Sequence, residues 1–178
     1  MGRAGEGRVF QNVEQPRRRA ARGGLLALAG FIGLCLLVGI TAAGFTAASV
    51  STWYRALAHP PGTPPNWLFG PVWTVLYVLM GVSAWLVWRR QDLAPRRVFG
   101  ALRLWGWQLL ANAMWTPAFF WLRSPALGMA VLVVLFTLVV LTALVFRRLS
   151  VIAAALLLPY VAWVGYAAYL NVGILALN

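Results

Sequence analysis

Charged side chains are scarce in this sequence. Of its 178 residues, 10% are charged, 62% are hydrophobic and only three are acidic. Soluble domains are about 45–50% apolar and about 25% charged, so this composition argues against a soluble enzyme. It also excludes a disordered chain, because disorder requires low hydrophobicity. The class that remains is a small integral membrane protein.

Residues that bind metals or carry covalent chemistry are nearly absent as well. Cys35 is the only cysteine and His59 the only histidine. One cysteine excludes a disulfide framework and a cysteine-based zinc or iron–sulfur site, and one histidine excludes a multi-histidine metal site. Neither a GxGxxG nor a Walker pattern occurs in the chain. We therefore expect no catalytic residues, no metal site and no required cofactor.

All fifteen basic residues are arginines, and their positions decide what the net charge of +12 means. In a soluble chain such a charge would suggest a nucleic-acid partner. Here the arginines stand in small groups between long uncharged runs, which is a pattern of membrane topology, so we expect no nucleic acid. A helix needs about 20 apolar residues to cross a bilayer, and each uncharged run has room for one crossing. The sequence predicts an all-α bundle of five transmembrane helices, at residues 25–47, 71–89, 100–122, 126–147 and 150–174.

The arginines also predict the orientation. They cluster before helix 1, between helices 2 and 3, and between helices 4 and 5, whereas the other two connections carry only Arg55 and Arg123. Connections rich in Arg or Lys face the cytoplasm, so we expect a cytoplasmic N-terminus and an external C-terminus. Residues 1–24 are predicted to be a disordered, Arg-rich cytoplasmic segment that precedes the membrane domain of residues 25–178. The first apolar run exceeds the roughly 7–15 residues of a signal peptide, so we expect helix 1 to be retained.

The connection between helices 1 and 2, residues 49–70, differs from the others. It contains four prolines between positions 60 and 65, and prolines at this density prevent helix and fix a rigid path. Long loops between helices often act as functional lids. The candidate lid residues are Arg55, His59, Pro64, Pro65 and Trp67.

Three predicted helices carry stripes that join aromatic rings to neutral polar groups on one helical face. The candidate site residues on them are Trp73 and Tyr77 on helix 2, Gln108, Asn112 and Trp115 on helix 3, and Tyr160, Trp163, Ala167 and Asn171 on helix 5. An unpaired amide in hydrocarbon is costly, so the three amides should face the bundle interior. Two interpretations stay open: interhelical hydrogen bonding with core packing, or a pocket for a flat apolar ligand that stacks on Trp and Tyr.

Two further features concern the interior of the bundle. No Asp or Glu lies in any predicted span, although a carboxylate proton relay or an ion-coupled transporter usually needs one. Pro117 and Pro159 lie inside predicted helices 3 and 5 and should kink them. The kinks are explained either by helix shape alone, which we favour, or by a need to splay the helices around a cavity.

Aromatic, proline and amide residues at defined spacing form one recognisable set along the chain. It comprises Trp53-Tyr54, Leu57, Pro60, Pro64-Pro65, Trp67, Phe69-Gly70-Pro71, Trp73 and Leu76-Tyr77, then Trp107-Gln108, Asn112 and Trp115, and finally Leu158-Pro159-Tyr160, Trp163, Ala167 and Leu170-Asn171. This set resembles the signature of the TspO/MBR family of translocator and tryptophan-rich sensory proteins, formerly the peripheral benzodiazepine receptor family. The resemblance covers about residues 28–178.

The resemblance implies a five-helix bundle, usually dimeric, with a pocket closed by the loop between helices 1 and 2. Members of the family bind porphyrins and haem-pathway tetrapyrroles, and some bind sterols and synthetic drugs. By motif position, the pocket residues carried over are Trp53 in the lid, Trp73, Tyr77, Asn112, Trp163 and Ala167. The end of helix 5 lacks the Tyr followed by a basic residue of the family's sterol-recognition element, which weakens the expectation of a sterol ligand.

The leading functional prediction is a membrane receptor or carrier for a porphyrin or haem-type tetrapyrrole, with a sensory or regulatory role and no covalent chemistry. The porphyrin ring would stack on Trp73 and Trp163, and its propionates would face Arg55 or His59. We expect a homodimer in a bacterial cell membrane, with the lipid bilayer and a small hydrophobic ligand, porphyrin or sterol-like, as its partners. One alternative is light- or oxygen-dependent porphyrin breakdown at a pocket Trp. Another is a structural or regulatory membrane partner whose pocket is incidental.

Overall fold

The computed structural model describes residues 6–178, with side chains from Gly23 onward except at positions 48 and 51. These residues form five long helices, which are α1 (Glu6–Ser49), α2 (Asn66–Trp88), α3 (Pro95–Thr116), α4 (Pro125–Arg147) and α5 (Val151–Leu177). Two π-helical turns, Val50–Tyr54 and Pro117–Trp121, extend α1 and α3. The described part of the chain has no strand, so the predicted all-α bundle is confirmed.

Four helices in the described residues are long and apolar enough to cross a membrane: the Gly23–Ala47 part of α1, and α2, α4 and α5. The remaining helix, α3, has three arginines in its first nine residues, at positions 96, 97 and 103. Nevertheless α3 packs along α4 and also contacts α1 and α2. It is therefore the fifth member of one bundle, as predicted, although its apolar part is shorter than that of its neighbours.

Helix 1 is longer than predicted at both ends. It begins at Glu6 rather than near residue 25, and residues 1–5 lie outside the described part. The disorder of residues 1–24 stays a prediction. This stretch combines good helix formers, Arg, Ala, Gln and Glu, with poor ones, Pro16, Gly23 and Gly24.

The loop between α1 and α2 is shorter than the predicted 49–70. Helical or π-helical structure continues through residue 56, and α2 begins at Asn66, so the non-helical connection is residues 57–65. The four prolines all lie within these nine residues. Pro65, with an extended backbone (φ −63°, ψ 145°), immediately precedes α2. Helix breaking by proline is thus confined to the segment that contains the prolines, and the flanking residues stay helical.

The two ends of the bundle are built differently. At the arginine end, where α2 turns into α3 and α4 into α5, the side chains of Val87, Phe146 and Ala153 are completely buried. A Cβ added at Gly81 would come 2.7 Å from the Ile32 Cα, so the backbones of α1 and α2 touch there. At the opposite end, hereafter the cavity end, the two π-helical turns meet and the helices separate.

A hydrogen bond joins the end of α1 to the second π-helical turn at the cavity end. Ser49 Oγ, at the end of α1, donates to the Phe120 carbonyl oxygen at 3.0 Å. A π-helical turn shifts the register of the backbone hydrogen bonds, and such turns are frequent at functional sites. Here the turn at Pro117 places the rings of Phe119 and Phe120 in the interior, where both are buried.

Candidate functional site

The cavity end contains a cavity of about 530 Å³, bounded by α1, α2, α3, α5 and both π-helical turns. This volume lies in the range of about 300–1,000 Å³ that is typical of ligand sites. The residues that line it, all in the described part of the chain, include no charged side chain. The site is therefore suited to an apolar ligand.

Small residues on α1 leave the space that the cavity occupies. Gly39, Ala43 and Ala47 follow one another at intervals of four residues and line it. At Gly39 an added Cβ would come 2.5 Å from the Tyr77 ring, so the ring occupies the place of the missing side chain. The cavity also has an open side, because Ile40 on α1 lines it while 70% exposed, and Thr74 on α2 lines it while exposed. The opening lies between α1 and α2 on the outer surface of the bundle.

A chain of three hydrogen-bonded side chains ties three helices together beside the cavity. The Tyr77 hydroxyl donates to Asn112 Oδ1 at 2.8 Å, and Asn112 Nδ2 donates to the Tyr160 hydroxyl oxygen at 2.9 Å. Asn112 is 3% exposed and lines the cavity. The inward orientation predicted for this amide is what the structure shows. Asn112 therefore fits both interpretations of the stripes, because it forms hydrogen bonds between helices and also lines the cavity.

Aromatic rings form much of the cavity wall. Trp73 lies 5.4 Å from the Tyr77 ring and 6.1 Å from the Tyr160 ring. Trp115, which also lines the cavity, stacks on Phe119 with a centroid distance of 5.5 Å and an angle of 22°. Aromatic rings around an apolar space suit a flat apolar ligand.

The structure brings six of the sequence-predicted residues to the cavity surface. They are Trp73, Tyr77, Asn112, Trp115, Ala167 and Asn171. Tyr160 lies one layer behind, bonded to Asn112. Trp163 packs edge-on against the cavity residue Phe69 at 5.9 Å. Gln108 is buried one turn from Asn112 but does not line the cavity.

The residues assigned to the lid lie outside the cavity lining. Trp53 sits in the first π-helical turn, not in a loop, and packs against Phe119 at 5.6 Å. Trp67 lies in the first turn of α2 and is 71% exposed. Arg55, Pro64 and Pro65 are exposed or half-buried at the same end of the molecule. Trp53, Arg55 and Trp67 thus lie in helical turns, whereas Pro64 and Pro65 lie in the loop of residues 57–65.

The loop itself, residues 57–65, is bonded to the C-terminal half of α5. The Tyr166 hydroxyl donates to the Gly62 carbonyl at 2.5 Å, and the Tyr169 hydroxyl donates to the Pro61 carbonyl at 2.9 Å. At the C-terminus, Asn178 accepts from the Ala58 N–H at 3.0 Å and donates to the Ala58 carbonyl at 3.1 Å. The loop thus covers the C-terminal part of α5 and reaches the cavity only indirectly.

His59 connects this loop to the cavity through one ring contact. Its imidazole lies 4.6 Å from the ring of Tyr54, a residue that lines the cavity. Tyr54 lies outside the membrane spans, and burial, with a smaller contribution from Tyr166, raises the pKa of its phenol above the ordinary 10.0. Tyr54 is therefore a neutral hydroxyl at physiological pH.

Sequence reasoning missed several residues of the cavity wall. They include the small residues of α1, Tyr54 and Phe120 of the second π-helical turn. Phe119, by contrast, follows Trp115 at the helical spacing of the stripe on α3. The spacing of Gly39, Ala43 and Ala47 was a usable signal, since small residues at intervals of four let another group approach a helix closely. The π-helical turns have no comparable pattern in the sequence, so the burial of Phe120 beside Phe119 was not expected.

Comparisons with known proteins match the chain over nearly its whole length. The profile of the TspO/MBR family matches residues 31–177, a range that contains every residue of the cavity wall. The chain is 41% identical over 158 residues to the tryptophan-rich protein TspO of Chlorobaculum tepidum, across 86% of this chain and 97% of that protein. It is 38% identical over 154 residues to the tryptophan-rich protein TspO of Archaeoglobus fulgidus, across 86% and 98%. It is also 33% identical over 142 residues to the translocator protein of Bos taurus, across 80% and 84%.

Proposed function

This chain belongs to the TspO/MBR family and is a multi-pass integral membrane protein, and from that premise we propose that it is a membrane receptor or carrier that binds tetrapyrroles, above all porphyrins. The single observation that carries the proposal is the uncharged, aromatic-walled cavity of about 530 Å³. A porphyrin is a flat apolar ring of the kind that indole and phenol faces bind by stacking.

The geometry favours one arrangement of the ligand. The ring would contact Trp73 and Trp115, because both line the cavity. Trp163, which we expected to stack on the ring, would act instead by holding Phe69 in place. The anionic propionates cannot remain in a cavity without charged residues, so they would point out of it, towards Arg55 and the loop of residues 57–65.

The open side between α1 and α2 supports entry from the bilayer. A porphyrin partitions into lipid, and the opening is bordered by Ile40 and Thr74, which are exposed on the outer surface of the bundle. A carrier or a sensor of membrane-dissolved ligand needs such access. The names of the relatives, tryptophan-rich protein and translocator protein, are not those of enzymes, which supports a binding role with regulatory consequences.

The proposal includes an orientation, a membrane and an assembly. The arginine end would face the cytoplasm of a bacterial cell, and the cavity end would face outward, because Arg89, Arg90, Arg147 and Arg148 lie at the turns of the arginine end. We propose a homodimer as the working assembly. A reporter that is active only outside the cytoplasm should function when fused after Asn178. Activity of the same reporter only in the α2–α3 connection would reverse the orientation.

Titration with protoporphyrin IX tests the function. Protoporphyrin IX should quench the Trp fluorescence of the purified protein in detergent. Binding should also shift the Soret band of the porphyrin to a position that is stable in light and in darkness. Trp73→Ala should weaken binding about tenfold or more, since it removes a stacking face and buried area. The matched control is Trp107→Ala, because Trp107 is exposed on the outside of α3. Equal losses in both variants, or a Soret band that disappears with turnover in light, would contradict simple binding at this site.

A further inference from the structure

The arginine end presents a strongly charged surface that plays no part in the proposed ligand binding. Six arginines stand at or beside its two turns, and all six side chains are exposed: Arg89, Arg90, Arg96, Arg97, Arg147 and Arg148. We call this set the arginine patch. Asp92 is the one acidic residue between positions 89 and 148. The patch therefore carries a large excess of positive charge.

Packing between helices brings the two turns together, although they come from different parts of the chain. The Ser83 hydroxyl, near the end of α2, donates to the Ala153 carbonyl, at the start of α5, at 2.7 Å. Helix α3 packs along α4, and α4 packs along α5. The α2–α3 turn and the α4–α5 turn are thus neighbours, and their arginines belong to one surface.

Two arginines of this end lie over aromatic rings. The Cζ atom of Arg89 is 4.9 Å from the centroid of the Trp85 ring, and the Trp85 indole N–H donates to the Gly24 carbonyl of α1 at 2.8 Å. The Cζ atom of Arg103 is 5.8 Å from the centroid of the Phe99 ring. A ring attracts a guanidinium through its π face, and this contact does not use up the five N–H donors of the guanidinium. The rings therefore position cations that can still bind an oxygen anion.

Large apolar side chains are exposed beside the arginines. Leu93 in the α2–α3 turn and Phe99 on α3 are 78% and 65% exposed, and Val151 and Ile152 at the start of α5 are 68% and 67% exposed. A soluble anion has no acyl chain to cover such side chains, whereas a phospholipid has acyl chains joined to its phosphate. The surface therefore matches an amphiphile whose phosphate meets the arginines and whose acyl chains meet the apolar side chains.

The charge of the patch discriminates between phospholipid headgroups. Every phospholipid with a phosphodiester offers oxygens that a guanidinium binds through paired N–H···O hydrogen bonds. A zwitterionic headgroup adds an ammonium group, which an excess of arginine repels. An anionic headgroup adds no such cation, and basic residues at a membrane surface attract it.

We propose that the arginine patch binds the phosphodiester headgroup of an anionic phospholipid in preference to zwitterionic lipid. The site is separate from the cavity, and the inference does not rest on the tetrapyrrole ligand. A lipid that binds only the folded protein also stabilises it, so an occupied patch would strengthen the closely packed end of the bundle.

Electron paramagnetic resonance of spin-labelled lipids measures this preference. The full chain is reconstituted in phosphatidylcholine bilayers with a trace of spin-labelled phosphatidylglycerol or spin-labelled phosphatidylcholine, and the immobilised fraction of each label reports its relative affinity. The wild type should bind phosphatidylglycerol about fivefold more tightly than phosphatidylcholine. Because both leaflets have the same composition, the result does not depend on the orientation of the protein.

Variants assign the preference to the patch. Replacing Arg89, Arg90, Arg147 and Arg148 together by Gln should abolish it, and Arg90→Gln alone should reduce it. The matched control for the single change is Arg123→Gln, because Arg123 is an exposed arginine at the cavity end, and it should leave the preference unchanged. Circular dichroism checks that each variant is folded. If the fourfold variant does not fold, the two double variants, one at each turn, should each lose part of the preference.

Glycerol 3-phosphate distinguishes a lipid site from a site for any phosphate. In large excess it should not displace spin-labelled phosphatidylglycerol, because it has no acyl chains. Displacement by glycerol 3-phosphate would overturn the lipid as occupant. Equal affinity of the wild type for the two lipids, or a preference that survives in the folded fourfold variant or in both double variants, would overturn the site. None of these results alters the test of the proposed function with protoporphyrin IX.

Discussion

The arginine end and the cavity end of this bundle use the same helices for opposite purposes. At the arginine end, α1 and α2 touch at Ile32 and Gly81, and the Ser83 hydroxyl donates to the Ala153 carbonyl at 2.7 Å. At the cavity end the same two helices are separated, and the space between them is left unfilled. Close packing fixes the fold at one end, which allows the other end to keep a cavity that by itself contributes no stability.

The largest expected effect separates the two ends with one type of substitution. Phe146 at the arginine end and Phe119 at the cavity end are both buried. Phe146→Ala should cost about 3–5 kcal/mol of unfolding free energy, since it opens a void in a packed core. Phe119→Ala should cost less, because its ring already borders empty space, but it should weaken porphyrin binding strongly. Denaturant unfolding in detergent and protoporphyrin titration of both variants measure the contrast, and equal destabilisation would remove the distinction between the ends.

A smaller effect is expected at the hydrogen-bonded chain beside the cavity. Asn112→Leu leaves the hydroxyls of Tyr77 and Tyr160 without their partner and should cost about 1–2 kcal/mol, the usual size for a polar contact in a membrane bundle. Asn171→Leu, the same substitution at an unbonded amide, is the control and should cost nothing. Unfolding of both variants by the same denaturant checks this. A loss at Asn171 as large as that at Asn112 would mean that Asn171 has a structural role.

The smallest effect is expected at the loop of residues 57–65. Tyr169→Phe deletes a single hydrogen bond to the Pro61 carbonyl and should cost about 0.5–1.5 kcal/mol. Hydrogen exchange should rise at residues 57–65 and stay unchanged at the arginine end. Tyr54→Phe, which retains the ring beside His59, is a useful comparison outside this contact. If exchange at the loop does not change, its attachment to α5 does not depend on the tyrosine hydroxyls.

The sequence predicted the packed parts of the molecule better than the cavity. Helical periodicity placed Trp73, Tyr77 and Asn112 correctly, because the face of a residue follows from its spacing within a regular helix. Helices α4 and α5 agree with their predicted bounds to within three residues. Arginines and N-capping serines precede α4 and α5, and they mark where these two helices begin.

The features that were not predicted depend on neighbouring helices. Spacing alone treats Gln108, Asn112 and Asn171 alike, yet only Asn112 meets two hydroxyls. The second π-helical turn, in which Phe120 is buried as well as Phe119, has no sequence pattern that announces it. The loop was predicted too long because the effect of its prolines was extended to residues on both sides of them, whereas the bonds from α5 hold only residues 57–65.

Filling the cavity tests the central claim most directly. Ala167 on α5 lines the cavity, and Ala162 on the same helix is exposed on the outside. Ala167→Phe should occupy the ligand's space and weaken protoporphyrin IX binding about tenfold or more, equivalent to about 1.4 kcal/mol or more, while Ala162→Phe should bind like the wild type. Unchanged affinity in a folded Ala167→Phe protein would contradict the account, because the porphyrin would then bind somewhere other than this cavity.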